Sequence, residues 1–275
     1  MLDAADTADL ADRLFEAERR RSPIAPLIET HPGIDAADAY RIQLLNVERR
    51  VSHAGVVVGH KVGLSSRAMQ QMMGVDEPDY GHLLEDMRVY PDVPVDVTRY
   101  CQPRVEPEVA FLLGDDLPED CTEADALAAT ESIAPALELI DSRIADWRIT
   151  LPDTIADNAS SAGFALGESR LDPRAVDLTT IPVALYRNGE AVGVGRSDAV
   201  LGDPLIAVAW LARTVARFGV RLRAGHIVLP GSCTRAVDLR PGDTFQAAFG
   251  PLGSVELRAA PPVPEPAAPA HEESS

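Results

Sequence analysis

The run Arg104-Val105-Glu106-Pro107-Glu108-Val109-Ala110-Phe111-Leu112-Leu113 sets two carboxylates two residues apart inside an apolar, β-prone stretch. Successive side chains of a strand point to opposite faces, so Glu106 and Glu108 share one face while Val105, Pro107, Val109 and Phe111 take the other. Like charges side by side repel. The arrangement holds if the face is solvated, if one carboxyl keeps its proton, or if a cation sits between the two. The doublet by itself fits equally well a solvated edge strand that Pro107 blocks from further pairing. A second apolar run, Ile133-Ala134-Pro135-Ala136-Leu137-Glu138-Leu139-Ile140-Asp141, carries another acid in its middle. Glu138 on a neighbouring strand would complete a three-carboxylate set suited to a hard divalent cation such as Mg2+ or Mn2+. Asp141 competes for that third place.

Two more residues bear on such a site. Lys61 lies among Val58, Val62 and Leu64 in an extended stretch broken by Gly59 and Gly63. A lone lysine near a strand end ordinarily snorkels to solvent, and here an acidic cluster is the alternative destination. Asp79 falls in Val75-Asp76-Glu77-Pro78-Asp79-Tyr80-Gly81-His82, dense in turn formers, where an ordinary turn acid is the simpler reading.

The elements that must position these groups follow from periodicity and punctuation. Residues 6–21 read as a helix with Leu10, Leu14 and Phe15 on one side and arginines at its end. A second runs from Asp35 to Ser52 with Tyr40, Leu44, Val47 and Val51 in register, and together they form a small helical N-terminal lobe over 1–55. The stretch 56–258 reads as a β-rich core. Within it, Ser65 or Ser66 caps a short helix in which Met69, Met72 and Met73 pack, Thr122–Thr130 is helical, and 141–161 is a long polar loop. Asn188-Gly189 turns a hairpin between 181–186 and 190–194, and Asp203-Pro204 opens a helix running to Gly219. Short strands at 226–229, 244–249 and 254–257 complete a rolled or sandwiched core of the α+β class. From Ala259 the Pro/Ala-rich sequence reads as a disordered tail.

Composition excludes several function classes. The chain has 275 residues and a formal charge of -18, from 43 acids against 25 bases, with no basic stripe that could track a phosphate backbone. No nucleic-acid partner is expected. Cys101, Cys121 and Cys233 are odd in number and far apart, which argues against a disulfide framework or structural zinc. The N-terminus lacks a basic, then apolar, leader pattern, and no run approaches membrane-spanning length, so a cytoplasmic protein with no membrane partner is expected.

Six motifs occur in order: Gly59-His60-Lys61-Val62-Gly63-Leu64, Glu77-Pro78-Asp79-Tyr80-Gly81, Arg104-Val105-Glu106-Pro107-Glu108, Pro135-Ala136-Leu137-Glu138, Asp153-Thr154-Ile155-Ala156-Asp157-Asn158-Ala159-Ser160 and Gly250-Pro251-Leu252-Gly253-Ser254-Val255. Together they resemble the 2-keto-4-pentenoate hydratase branch of the fumarylacetoacetate hydrolase superfamily, from the first helix to about Leu257. The resemblance implies a mixed β roll or barrel core, a homo-oligomer, and a Mg2+- or Mn2+-dependent hydro-lyase. Its substrate would be a small 2-hydroxy-2,4-dienoate (2-oxo-4-pentenoate type) from meta-cleavage of aromatic compounds. It makes Glu106, Glu108 and Glu138 the metal ligands, favouring Glu138 over Asp141. It also places Lys61 and Asp79 as acid/base or electrostatic groups and Ser160 near the substrate carboxylate. The loop Leu229-Pro230-Gly231-Ser232-Cys233-Thr234-Arg235 departs from the simplest hydratases toward relatives whose substrate has a second carboxylate, and Arg235 is the candidate reader of that end. A 2-oxo-3-enedioate decarboxylase, a 2-oxohept-3-enedioate hydratase and an inactive partner subunit are the competing readings.

Overall fold

The computed structural model describes residues 1–66, 70–71, 75 and 77–262. The expected methionine helix with Met69, Met72 and Met73, and the chain from 263 on, lie outside the described residues.

Helix α1 spans Ala4–Arg20, with the Asp3 carboxylate accepting from the Asp6 N–H at its start and Arg21 in the left-handed region at its end. A four-residue α2, Leu27–Thr30, precedes α3, Ala36–Ser52, whose N-terminus is closed by a reciprocal Asp35/Asp38 capping box. Further on lie α4, Glu123–Ala129, α5, Leu151–Ala156, and α6, Pro204–Ala216. Among the described residues no helix is long and apolar enough to cross a membrane.

Among the described residues, eleven strands form two sheets. The first contains β1 (Val57–Gly63), β2 (Asp79–Leu84), β3 (Arg104–Leu113), β4 (Thr130–Ile140) and β5 (Ser161–Leu166), with β8 (Ile227–Leu229) and β9 (Val237–Asp238). Its order is β2-β1-β8-β3-β4-β5, with β9 beside the start of β3, and only β1 and β8 run parallel. The second has the order β11-β10-β6-β7, built from β6 (Pro182–Arg187), β7 (Glu190–Arg196), β10 (Thr244–Ala248) and β11 (Ser254–Arg258). The architecture is the expected α+β roll with helices around a mixed sheet.

Strand β3 is central, not an edge. β4 pairs along its whole length, while β8 and β9 share its other side at Phe111–Leu112 and Arg104–Val105. Pro107 falls in the gap between those two short neighbours. Its carbonyl points there and accepts the Cys233 N–H at 3.0 Å, so the missing proline N–H costs no ladder bond.

Three other expectations change. Asp79 opens strand β2 instead of sitting in a turn. The stretch 141–161 is not an open polar loop: it holds a 3-10 turn at 145–147, α5 and a second turn at 158–160, and Asp141, Ser142, Arg143, Asp153 and Asp157 are buried. The chain remains paired past Ala259, whose N–H donates to Asp243 O, while Ala260 N–H donates to Val95 O.

Candidate active site

Antiparallel pairing of β3 with β4 puts Glu106 directly opposite Glu138 and Glu108 opposite Ala136, so all three carboxylates stand on one face of the sheet. Their oxygens lie within 4.8 Å of one another. Acids facing each other across a sheet destabilise it unless something offsets the repulsion. Glu108 and Glu138 are fully buried. Glu108 Oε2 accepts the Gly231 N–H at 2.7 Å and Glu138 Oε1 accepts the Ser161 hydroxyl at 2.8 Å. Glu108 Oε1 and Glu138 Oε2 are buried without a hydrogen-bond donor. Burial and the neighbouring negative charges push Glu106 up to about 7 and raise Glu108 well above the carboxylate range, whereas burial raises Glu138 less because Lys61 and Ser161 pull it back. Three carboxylates, two of them with an oxygen that accepts no hydrogen bond, fit a hard divalent cation.

Register carries Lys61 to the same face. Its ammonium is 3.4 Å from Glu138 Oε2 and donates to the Ala159 carbonyl at 2.8 Å. Burial opposes its charge, yet Glu138, Asp79, Glu106 and Glu108 together hold its pKa above the ordinary lysine range. Lys61 is therefore a fixed cation. It is also the only lysine in the chain. Asp79, paired across β1–β2 with Gly63, is buried, accepts the Thr154 hydroxyl at 2.7 Å through Oδ2 and leaves Oδ1 unpartnered. Gly63 makes room for both groups: a Cβ there would lie 2.1 Å from Asp79 Oδ1 and 3.1 Å from Lys61 Nζ.

The Ala159 carbonyl comes from an unusual turn. Asn158, Ala159 and Ser160 have φ of 54°, 50° and 55°, three consecutive non-glycine residues in the left-handed region. Asparagine takes this form readily, but Ala159 and Ser160 each cost roughly 1–2 kcal/mol against the right-handed form. Such a run persists only where its surroundings over-determine it. The Asn158 side chain brackets His82, accepting its N–H at 2.8 Å and donating to its carbonyl at 2.9 Å. The Ser160 carbonyl accepts the Asp141 N–H at 2.8 Å, and the Ser160 hydroxyl is buried with no partner.

Of the seven residues singled out from sequence, Lys61, Asp79, Glu106, Glu108 and Glu138 are brought together, and Ser160 lies in the turn between Ala159, whose carbonyl holds Lys61, and Ser161, whose hydroxyl donates to Glu138. Arg235 is not among them: it is exposed, and its side chain makes no hydrogen bond or ion pair to a described residue. Asp141 faces elsewhere, its two oxygens taken by the N–H groups of Cys101 at 2.8 Å and Gln102 at 2.5 Å. Sequence reasoning missed the Gly231 N–H, the Ala159 carbonyl, Thr154 and Ser161. Backbone donors and small hydroxyl residues carry no spacing signal of their own.

A family model, fumarylacetoacetate (FAA) hydrolase C-terminal, matches residues 55–259. The chain belongs to the fumarylacetoacetate hydrolase family. Within it, a 2-keto-4-pentenoate hydratase of Paraburkholderia xenovorans is 45% identical over 248 residues, 90% of this chain and 92% of that one. The 2-oxo-hept-4-ene-1,7-dioate hydratase of Escherichia coli is 41% identical over 90% of this chain and 96% of its own length. The solved structure of 4-oxalocrotonate decarboxylase from Pseudomonas putida G7, complexed with magnesium and adipate, superposes with TM-score 0.90 at 34% identity, covering 94% of this chain and 99% of that one.

Proposed function

We propose that this protein is a divalent-metal-dependent hydro-lyase that adds water to a 2-hydroxy-2,4-dienoate, giving a 4-hydroxy-2-oxo acid. The carrying observation is the Glu106–Glu108–Glu138 cluster facing Lys61, on a chain 45% identical to a 2-keto-4-pentenoate hydratase. In this reading Glu106, Glu108 and Glu138 hold the ion, Mg2+ or Mn2+. When bound, it supplies a Lewis acid toward the substrate's carboxylate and 2-oxygen.

The chain's own groups do the rest. Ser160 Oγ, buried and unpartnered, donates to the substrate carboxylate. The Lys61 ammonium supplies fixed positive charge as the dienol tautomerises to the unsaturated 2-oxo acid. Asp79, through its free Oδ1, takes a proton from water as the oxygen adds to C4 and returns that proton to C3, closing the addition with Asp79 ionised again. Burial of Lys61 and Asp79 keeps bulk water from competing. The protein works as a cytoplasmic homo-oligomer in the breakdown of aromatic rings.

Decarboxylation of a 2-oxo-enedioate is the second reading, favoured by the superposition with the decarboxylase. Purified protein with and without Mg2+ should be given a methyl-ended dienoate and an enedioate, with products identified by mass. Gain of one water supports the hydratase, loss of carbon dioxide the decarboxylase, and no metal-dependent product from either overturns both. In the same assay, Arg235→Ala, at an exposed position outside the carboxylate cluster, should leave both Michaelis constants within about twofold. A roughly ten- to hundredfold rise for the enedioate alone would instead make Arg235 the reader of a second carboxylate.

A further inference from the structure

Arg143 and Asp157 form a buried ion pair that no step above uses. Arg143 Nε donates to Asp157 Oδ1 at 2.5 Å, its backbone N–H donates to Oδ2 at 2.9 Å, and a terminal guanidinium nitrogen donates to the Asp157 carbonyl at 2.5 Å. That carbonyl also accepts the Ser160 N–H at 3.0 Å, closing the left-handed turn. One guanidinium thus grips both the side chain and the backbone of the residue from which the turn departs. Arg143 is itself tied down, its carbonyl accepting the Ile24 N–H at 2.8 Å in the segment after α1.

We propose that the Arg143–Asp157 pair is a positioning device, holding Asn158–Ser160 in its left-handed turn so that the Ala159 carbonyl fixes Lys61 Nζ and Ser160 Oγ stays on the site face. The inference rests on the roles given above to Lys61 and Ser160. Only arginine can do this, because the task needs two donors at fixed divergence, one for a carboxylate and one for a carbonyl. The ion pair is remote from the metal carboxylates in bonding. It acts through the turn alone.

Removing one partner leaves a buried charge unpaired and endangers the fold, whereas removing both charges is often close to neutral. The test is therefore the double variant Arg143→Met with Asp157→Asn, in which the backbone N–H of residue 143 can still donate to the asparagine side-chain oxygen. Arg143→Lys serves as the companion, keeping the charge without the fork. Two readouts apply. Turnover of a dienoate with saturating Mg2+ should fall roughly ten- to a hundredfold in both variants, as expected for a small misplacement of reacting groups, while Mg2+ affinity stays within about twofold. The ammonium of the sole lysine, observed by lysine-selective 15N labelling without substrate, should shift and exchange faster. Wild-type turnover in a folded double variant overturns the proposal, as does an unmoved lysine signal alongside slowed turnover. If the wild type hydrates no dienoate, the functional reading above fails, and the lysine signal alone then decides whether the ion pair positions Lys61.

Discussion

The first sheet buries polar groups on both faces, and it does so in opposite ways. On one face stand Lys61, Asp79, Glu106, Glu108 and Glu138; on the other, His60, Tyr80 and His82 project from the same strands β1 and β2. Both faces hold buried atoms without hydrogen-bond partners: carboxylate oxygens on the first, both ring nitrogens of His60 on the second. The histidines have lost their charge. Burial, reinforced by His82 and His226, drives the His60 pKa well down, and burial with His226 pushes His82 down to about 4. Their rings pack together, His60 tilted against His82 at 4.7 Å between centroids and His82 stacked on Tyr40 at 6.1 Å. On the carboxylate face the charges cannot all be shed, because four acids surround one fixed ammonium. An unpartnered buried atom therefore does not mark a site by itself. Charge that has nowhere to go does.

The comparison breaks most visibly at Glu108. Glu108→Gln removes a ligand charge, so Mg2+ affinity should fall by more than about a hundredfold, beyond the loss typical of residues that merely support ligands. Activity should vanish, while the metal-free variant melts no lower than wild type because carboxylate repulsion is relieved. Calorimetric titration and thermal melting check this, and undiminished affinity would place the ion elsewhere.

Gly63→Ala probes the same face without altering a charged group. Its Cβ has no room beside Asp79 Oδ1, so turnover should drop roughly ten- to a hundredfold with Mg2+ affinity nearly unchanged. Steady-state kinetics at saturating metal read the effect, and normal turnover would remove Asp79 from the mechanism.

A smaller effect sharpens the contrast through pH. In the metal-free protein Glu106 is pushed up to about 7, above its unfolded value, so between the two pKa values the folded state holds a proton that the unfolded state has lost. Stability from this group is present below the unfolded pKa and declines as pH rises through about 7. The melting temperature of the metal-free wild type should therefore fall more between about pH 5 and about pH 8 than that of Glu106→Gln, and Mg2+ should bind more weakly as pH drops below about 7. Parallel melting curves for the two proteins would contradict the assignment.

The smallest effect belongs to the histidine face. Replacing a buried group that lacks partners by an apolar one is nearly neutral or stabilising, so His60→Leu should leave turnover within about twofold and melting unchanged or slightly higher. A large loss of turnover, despite the side chain pointing away from Lys61, would show that the two faces are coupled.

Local rules written in the sequence set much of this protein. Strand alternation put Glu106 and Glu108 on one face, Asp35 and Thr122 marked helix starts, and Asn188-Gly189 marked the hairpin between β6 and β7. These depend on neighbours a few residues apart, which any reader of the chain can count. Only tertiary structure set Glu106 opposite Glu138 and committed Asp141 to the N–H groups of Cys101 and Gln102, because strand register joins residues far apart in the chain. The pattern of turn formers concealed that Asp79 belongs to a strand, since β1 supplies the pairing that overrides local preference. The left-handed turn at Asn158–Ser160 was equally illegible. Only Asn158 is of a type that readily takes that backbone, and the turn exists because Lys61, His82 and the Asp141–Arg143 segment converge on it from three separate parts of the chain.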